Sequence, residues 1–475
     1  MSDSSGSSSW SEIFTPRFAT VTLILCLGVA LFAFNAFLAS VALPTAVQQL
    51  GGIALISWAL TLYLVFAIMG GAGAALIKQR LGSRNALILS AAIFLVGTVI
   101  AANASSMTEV LVGRSFQGLG EGVMAAICFA LIPELFPARL VPKIFGMQAV
   151  IWAVAAFGGP VGAGLLTELV SWRAAFLINV PLVAIFVLGV VFVVPGKREG
   201  STAEVGFPGI RLLAIGAGIM LVALAGITPP LEATGLLIGA AVLLAGAVLL
   251  DRRSRVRLMP LGAYWPTSVV GSGLIMALLM PIAQAGAAVY LILLLQQLWG
   301  YGPTVAGGIG AVMAVAWSLS AISVANVRRP TRKILIRTGP ALVTIGLVGL
   351  LAGLLMEQLP IILVAQLAIG AGFGISNGYL NLSMMEAASD EERDRTSALL
   401  PTTQSAGNAI GAALAGVAAN SAGYASATTS AEIHQSIVPV FILGAAMAAL
   451  AVLAALRMTG LMARNTTTSA FAAAE

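Results

Sequence analysis

The chain has 475 residues, of which 59% are hydrophobic and only 9% are charged, and its formal net charge is +6. Soluble globular domains carry about a quarter charged residues, so this composition excludes an ordinary soluble fold. The mean hydropathy of +1.01 is typical of a protein that lies mostly in lipid. A helix needs roughly 20 apolar residues to cross a bilayer, and apolar runs of that order recur along the whole chain.

These apolar runs predict an all-α membrane protein with about 14 transmembrane helices. In chain order, the predicted spans cover residues 18–43, 54–77, 86–104, 107–132, 143–168, 175–195, 208–228, 234–250, 267–295, 304–326, 335–356, 360–386, 396–420 and 436–457. An even number of spans places the predicted tails, 1–17 and 458–475, on the same side of the membrane.

The positions of the basic residues predict which side that is. Of the 24 Lys and Arg residues, only Arg114, inside a span, and Arg173, in a loop on the opposite face, fall elsewhere than on the side of the termini. Because cytoplasmic loops are enriched in Lys and Arg, both termini are expected in the cytoplasm, with the protein in the cell (inner) membrane. Orientation also accounts for the basic net charge, so no nucleic-acid partner is expected.

Two ionisable residues lie deep in a predicted span, Arg114 and Glu121. A charge at this depth costs at least about 2.5 kcal/mol on insertion scales, so each is a candidate for function. Their spacing of seven residues places them on one helix face, with Gln117 between them. We predict that Glu121 and Arg114 form a proton-coupling pair, because burial and a nearby cation both control the protonation of a carboxyl group. The alternative is a structural pair that locks the helix.

Uncharged polar and aromatic residues inside the spans are candidates for a substrate cavity. This predicted set comprises Asn35, Gln117, Trp152, Gln284, Tyr290, Asn377, Asn381 and Asn408. For each of them, bonding between helices or core packing is the alternative. His434 is the only histidine. The sequence contains no Cys/His cluster, no P-loop and no paired interfacial acids. We therefore expect no metal site, no cofactor and no enzymatic activity.

Several segments carry motifs. Val112–Gly120 resembles the RxxQGxG-type motif of the major facilitator superfamily, and Gly158–Gly164 resembles the glycine-proline motif of that superfamily's antiporters. Ser171–Pro181 is very close to the WRxxFxINxP segment of the 14-helix drug:proton antiporter family, and Leu294–Tyr301 and Gln404–Gly411 fit the same family. The chain therefore resembles this family over nearly its whole length.

This resemblance implies two six-helix bundles, here 18–195 and 267–457, around a central cavity. Two linker helices, here 208–250, would be inserted between them. Substrate binding is expected near the membrane midplane, between two related halves.

The resemblance also implies conformational roles for two short motifs. These are Arg80, Gly82 and Arg84 in the loop after the second span, and Gly159 and Pro160, which form a hinge or a close helix contact. The chain departs from the family pattern at two positions, with Asn35 and Gln79 where the family usually has Asp.

The resemblance implies a secondary active transporter that acts as a monomer by alternating access. Its expected function is proton-driven efflux of drugs or other amphipathic organic compounds. The expected partners are the amphipathic substrate, protons and membrane lipid. Because Asn35 replaces the usual acid, a dedicated exporter or a facilitator of a metabolite, siderophore or lipid, without the usual proton coupling, is the alternative.

Overall fold

The computed structural model describes residues 10–137, 140–196, 209–254, 257, 259–324, 327 and 329–472. Within these ranges the regular structure is entirely helical. The α-helices are α1 Pro16–Leu50, α2 Ile56–Ala102, α3 Met107–Leu135, α4 Val141–Leu169, α5 Trp172–Leu177, α6 Asn179–Val193, α7 Gly209–Ala225, α8 Pro230–Arg253, α9 Val269–Gln297, α10 Pro303–Ser323, α11 Arg329–Leu355, α12 Leu359–Ala387, α13 Asp390–Ser421 and α14 Ser430–Ala472.

Eleven helical segments of the described residues are long and apolar enough to cross a membrane. One of them, Ile53–Ala102, contains two of the predicted spans. Gly82 interrupts it with a φ of 78°, a left-handed conformation that glycine adopts without steric cost. The predicted count of 14 exceeds 11 also because α7 has only 17 residues and because α13 opens with a charged run and is rich in Ser, Thr, Gln and Asn after it. The 14-span topology and its cytoplasmic orientation stay predictions.

The described ends of the chain are more helical than the apolar runs predict. A short 3₁₀ helix, Trp10–Phe14, precedes α1, and α14 continues to Ala472, through most of the predicted tail 458–475. Hydropathy locates the part of a helix that lies in lipid, and it does not mark the residue at which the helix itself ends. Residues 1–9 and 473–475 of the predicted tails lie outside the described residues.

Helix α3 lies tightly between the two halves of α2. A Cβ atom at Gly118 would be 2.1 Å from the Tyr63 carbonyl oxygen, before the break in α2, and one at Gly113 would be 2.7 Å from the Gly97 carbonyl oxygen, after it. Glycines allow helix backbones to approach this closely in a membrane protein. This packing fixes the rotation of α3 and therefore the directions of its polar side chains.

The pair α7 and α8 lies against the seam between the first and last parts of the fold. Gly216 of α7 approaches Val65 of α2, whereas Gly226, just after α7, approaches Val417 of α13. Helix α8 packs on α7, where Leu244 contacts Gly218. Only 11% of the residues in the most apolar stretch of α8 are buried within the protein. The two helices therefore sit at the periphery, with α8 outermost.

Helices α1–α6 and α9–α14 meet at one end of the bundle. The Thr45 hydroxyl on α1 donates a hydrogen bond of 3.3 Å to Gln296 Oε1 on α9. Glu168, near the end of α4, accepts bonds from the Thr304 backbone N at 3.0 Å and the Thr304 hydroxyl at 2.6 Å, at the start of α10. These contacts lie opposite the end at which α1 begins, and this is the external end in the predicted orientation.

Candidate functional site

A hydrogen-bonded chain of three buried polar residues joins α1, α3 and α6. The Asn35 Nδ2 donates to Glu121 Oε2 at 2.8 Å, and the Asn179 Nδ2 lies 3.5 Å from Asn35 Oδ1. All three residues are fully buried. Asn179 Nδ2 also donates to the Phe176 carbonyl oxygen at 3.1 Å. Asn179 therefore holds the Asn35 amide with its NH₂ group toward the Glu121 carboxyl.

Arg114 and Glu121 are separated by the Tyr63 side chain. The Arg114 guanidinium lies over the Tyr63 ring, 4.0 Å from its centroid, in a cation–π arrangement. Tyr63 interacts electrostatically with both charged residues. Among the described residues, no carboxylate oxygen lies within 4.0 Å of Arg114. The predicted pair is thus brought together around one aromatic ring, without a direct ion pair.

Two polar atoms at the centre of this group lack a hydrogen bond of standard geometry among the described residues. Glu121 Oε1 and the Tyr63 hydroxyl are buried and have no hydrogen-bond partner of standard geometry among the described residues. A buried polar group without a partner is costly, so such atoms often mark sites that bind a proton, a water or a ligand.

Gln117 lies in the packing between helices. Its Oε1 accepts a bond of 2.8 Å from Arg114 Nη1, and its Nε2 donates at 3.0 Å to the Thr98 hydroxyl in the second half of α2. Both polar ends of this fully buried side chain are therefore used within α3 and between α3 and α2. Its main contribution is to hold Arg114 in place.

A series of aromatic rings leads from the surface of α4 to this polar group. The Trp152 ring meets the Phe32 ring edge-on at 5.7 Å, and Phe32 stacks against Tyr63 at 6.2 Å. Trp152 is 37% exposed, whereas Tyr63 is fully buried. Such rings offer large apolar faces next to polar atoms, as binding sites for amphipathic molecules do.

Helices α10, α12 and α13 carry a second part of the predicted cavity set. Asn377 and Asn381 line a cavity of about 410 Å³ between α10 and α12, together with Trp317 and Tyr379. Asn377 Oδ1 accepts a bond of 3.0 Å from Gln404 of α13, and Asn381 Oδ1 is buried without a partner among the described residues. The residues that line this cavity are uncharged.

Three other predicted cavity residues form no hydrogen bond with either group among the described residues. Gln284 is half-buried, with its Nε2 3.3 Å from the Met313 sulfur. Tyr290 is buried and meets Tyr424 edge-on at 5.4 Å, near the end where the bundles meet. Asn408 is half-buried on α13.

The first conformational motif surrounds the break in α2. Arg84 Nε donates at 2.8 Å to the Val194 carbonyl oxygen, which follows α6, and Lys78 forms an ion pair with Glu134 near the end of α3. Arg80 is exposed. With Gly82 at the break, the segment ties α2 to the ends of α3 and α6.

The second motif contacts two different helices. A Cβ atom at Gly159 would lie 2.7 Å from Phe37 Cβ on α1. The carbonyl oxygen of Pro160 lies 2.9 Å from the position that a Cβ atom would take at Gly307 on α10. The motif thus makes a close contact of α4 with both α1 and α10.

Asn179 and Phe32 were absent from the predicted site. Asn179 belongs to the segment Ser171–Pro181 that resembles the WRxxFxINxP motif, and a polar residue in an otherwise apolar stretch was a usable signal. Phe32 carries no such signal, because its position in an apolar run does not distinguish it from phenylalanines that pack in the core.

Comparisons with known proteins agree with this architecture. The Major Facilitator Superfamily model matches residues 25–412. A probable multidrug-efflux transporter of Mycobacterium tuberculosis is 31% identical over 435 residues, which cover 87% of this chain and 90% of the relative. The multidrug transporter MdtP of Bacillus subtilis is 24% identical over 407 residues, which cover 84% of this chain and 75% of the relative.

A solved structure extends the likeness to the fold. The crystal structure of a D-xylose–proton symporter aligns with a TM-score of 0.66 at 18% identity, covering 93% of this chain and 97% of the symporter. At this identity the likeness concerns the fold alone. The family match and the full-length relatives confirm the resemblance seen in the motifs: the chain is a multi-pass membrane transporter that belongs to the Major Facilitator Superfamily.

Proposed function

We propose that this transporter is a proton-driven exporter of drugs or other amphipathic organic compounds, working as a monomer by alternating access in the cell (inner) membrane. The observation that carries the proposal is Glu121, a fully buried carboxyl that accepts a hydrogen bond from Asn35 and has no cation within ion-pair distance among the described residues.

The environment of Glu121 suits a group that gains and loses a proton during transport. A carboxylate in a low-dielectric site is stable only with enough compensating hydrogen bonds or charge. Here Glu121 Oε2 has one donor of standard geometry and Oε1 has none among the described residues, with the Tyr63 hydroxyl close by. A rearrangement that admits water or brings Arg114 closer would favour release of the proton. A return to the buried arrangement would favour uptake.

The proposed substrate class follows from the aromatic series beside Tyr63 and from the cavity between α10 and α12. Trp152 and Phe32 offer aromatic faces, and the cavity with Asn377 and Asn381 offers amide groups and Trp317 without charged side chains. These surfaces fit a neutral or weakly cationic molecule with a large apolar part. The likeness to a probable multidrug-efflux transporter and to a multidrug transporter supports the same class.

The direct test measures proton release with substrate uptake. Everted membrane vesicles containing the protein are given a fluorescent amphipathic dye, and proton movement is followed with a pH-sensitive probe. We expect dye-dependent proton release in the wild type and its loss in Glu121→Gln. The matched control is Glu232→Gln, which removes an exposed carboxyl on α8 and is expected to behave like the wild type. Proton-coupled exchange that persists in Glu121→Gln would place the coupling on another residue.

A second candidate function is a dedicated exporter or facilitator of a metabolite, siderophore or lipid that does not use the proton gradient. Asn35 favours it, because this position usually carries an acid in the family that the chain resembles. In this case substrate transport would be the same with and without an imposed pH gradient, and Glu121→Gln would leave the transport rate unchanged.

A further inference from the structure

Three arginines follow one another closely in sequence where α8 ends. Arg252 and Arg253 close the apolar segment Leu231–Arg253 and are exposed, and Arg257 follows in the loop. Arg257 Nε is buried without a hydrogen-bond partner among the described residues. Within the same residues, none of the three arginines has a carboxylate oxygen within 4.0 Å.

The adjacent acid is engaged elsewhere. Asp251 is 1% exposed and forms an ion pair with Arg211 at the start of α7. It also accepts hydrogen bonds from the Tyr264 hydroxyl and, at 3.0 Å, from the Met259 backbone N. Burial, together with the bond to Asp251, raises the pKa of Tyr264, so the phenol stays a donor at physiological pH. Asp251 therefore joins α7, α8 and the following loop, and within the described residues it forms no ion pair with the three arginines.

Apolar and aromatic surface lies next to these charges. The Arg252 guanidinium lies 4.5 Å over the ring of Trp265, which is 51% exposed just before α9. Leu249 and Leu250 on the last turns of α8, and Leu261 in the loop, are each at least half exposed. Because α8 and α9 are both apolar enough to span the membrane, this group lies at the depth of the lipid headgroups.

We propose that Arg252, Arg253, Arg257 and Trp265 form a binding site for the phosphate group of an anionic phospholipid. The guanidinium groups bind the phosphate oxygens, and the acyl chains lie along Leu249 and Leu250. The lipid fastens the α7–α8 pair to one leaflet, the cytoplasmic one in the predicted orientation. This site is independent of the molecule that the protein transports.

The test compares lipid retention by native mass spectrometry. The full-length protein is purified from vesicles that contain phosphatidylglycerol and phosphatidylcholine. We expect the wild type to retain phosphatidylglycerol in preference. Each arginine near a membrane surface is worth about a fivefold change in binding, so Arg252→Gln with Arg253→Gln should lower the retention about 25-fold. The matched control, Lys333→Gln with Arg457→Gln, removes two positive charges at the same end of the bundle. It should keep the preference, and an equal loss in the control would overturn the site.

A second measurement separates a lipid from a free anion and does not depend on the arginine variants. Brominated phosphatidylglycerol should quench the tryptophan fluorescence of the wild type more than brominated phosphatidylcholine does. Trp265→Phe should remove that difference. If inorganic phosphate displaces the brominated lipid, or if both lipids quench equally, the site is not a phospholipid site and the proposal is wrong.

Discussion

The side-chain amide of Asn35 donates a hydrogen bond of 2.8 Å to the carboxyl group of Glu121, across the contact between α1 and α3. In the 14-helix antiporter family that the motifs resemble, the position of Asn35 usually carries an acid. In this chain the acid is Glu121 on α3, and its carboxyl group contacts Asn35. One carboxyl and one amide therefore share a buried site, and the carboxyl belongs to the other helix.

The first prediction exchanges the two groups. If the site needs one carboxyl and one amide, the double variant Asn35→Asp with Glu121→Gln should retain proton-coupled exchange, whereas Glu121→Gln alone should lose it. The measurement is dye-dependent proton release in everted vesicles.

The single variant Asn35→Asp is the control for this exchange. It places two carboxyl groups in contact, and like charges at that distance cannot both ionise in a buried site, so the two groups should share a proton. The pH dependence of its transport should therefore differ from that of the wild type. Failure of the double variant, with normal expression and folding, would show that the acid must be on α3.

The second prediction concerns the ring between Arg114 and Glu121. Tyr63→Phe keeps the ring under the Arg114 guanidinium, so thermal stability in detergent should change little. Tyr63→Ala removes a fully buried ring and should destabilise the protein by about 3–5 kcal/mol, the usual cost of truncating a large aromatic residue to alanine. A thermal unfolding curve of each variant checks this. Equal melting temperatures for the two variants would contradict the role of the ring.

The third prediction tests the close contact that orients α3. Gly118→Ala would place a Cβ atom 2.1 Å from the Tyr63 carbonyl oxygen, so α2 and α3 must separate. We expect a loss of about 1–3 kcal/mol, the usual cost of overpacking, with a lower melting temperature. Gly162→Ala is the matched control, because nothing lies within 4 Å of its Cβ position, and it should melt like the wild type. A normal melting temperature for Gly118→Ala would show that the contact is loose.

The fourth prediction concerns substrate binding. Trp152→Ala removes the partly exposed end of the aromatic series, and an aromatic pair contributes about 0.5–1.5 kcal/mol beyond its buried area. The KM for a planar amphipathic dye should rise about 2- to 12-fold, with little change in the maximal rate. Trp152→Phe keeps a ring and should restore most of the affinity. If the KM is unchanged in Trp152→Ala, the aromatic series does not contact the dye.

The polar stripe on α3 was predictable in part. The spacing of Arg114, Gln117 and Glu121 correctly predicts one face of a helix, because helical periodicity depends only on positions within one segment. That Gln117 turns toward Thr98 and Glu121 toward Asn35 was not predictable, because the partners lie on different helices. Asn377 and Asn381 share a cavity for a similar reason, as both lie on α12 at a spacing of four.

The sequence by itself determined that this protein is a helical membrane transporter. Backbone polar groups in lipid must bond internally, so each long apolar run must be a helix, and the ordered motifs then indicate the superfamily. The tertiary structure alone decided which polar groups meet. Asn35 and Glu121 are 86 residues apart, and Tyr63 comes between Glu121 and Arg114 because α3 packs against α2 through glycines. Contacts between helices depend on their separation and rotation, and these follow from the packing of the whole bundle.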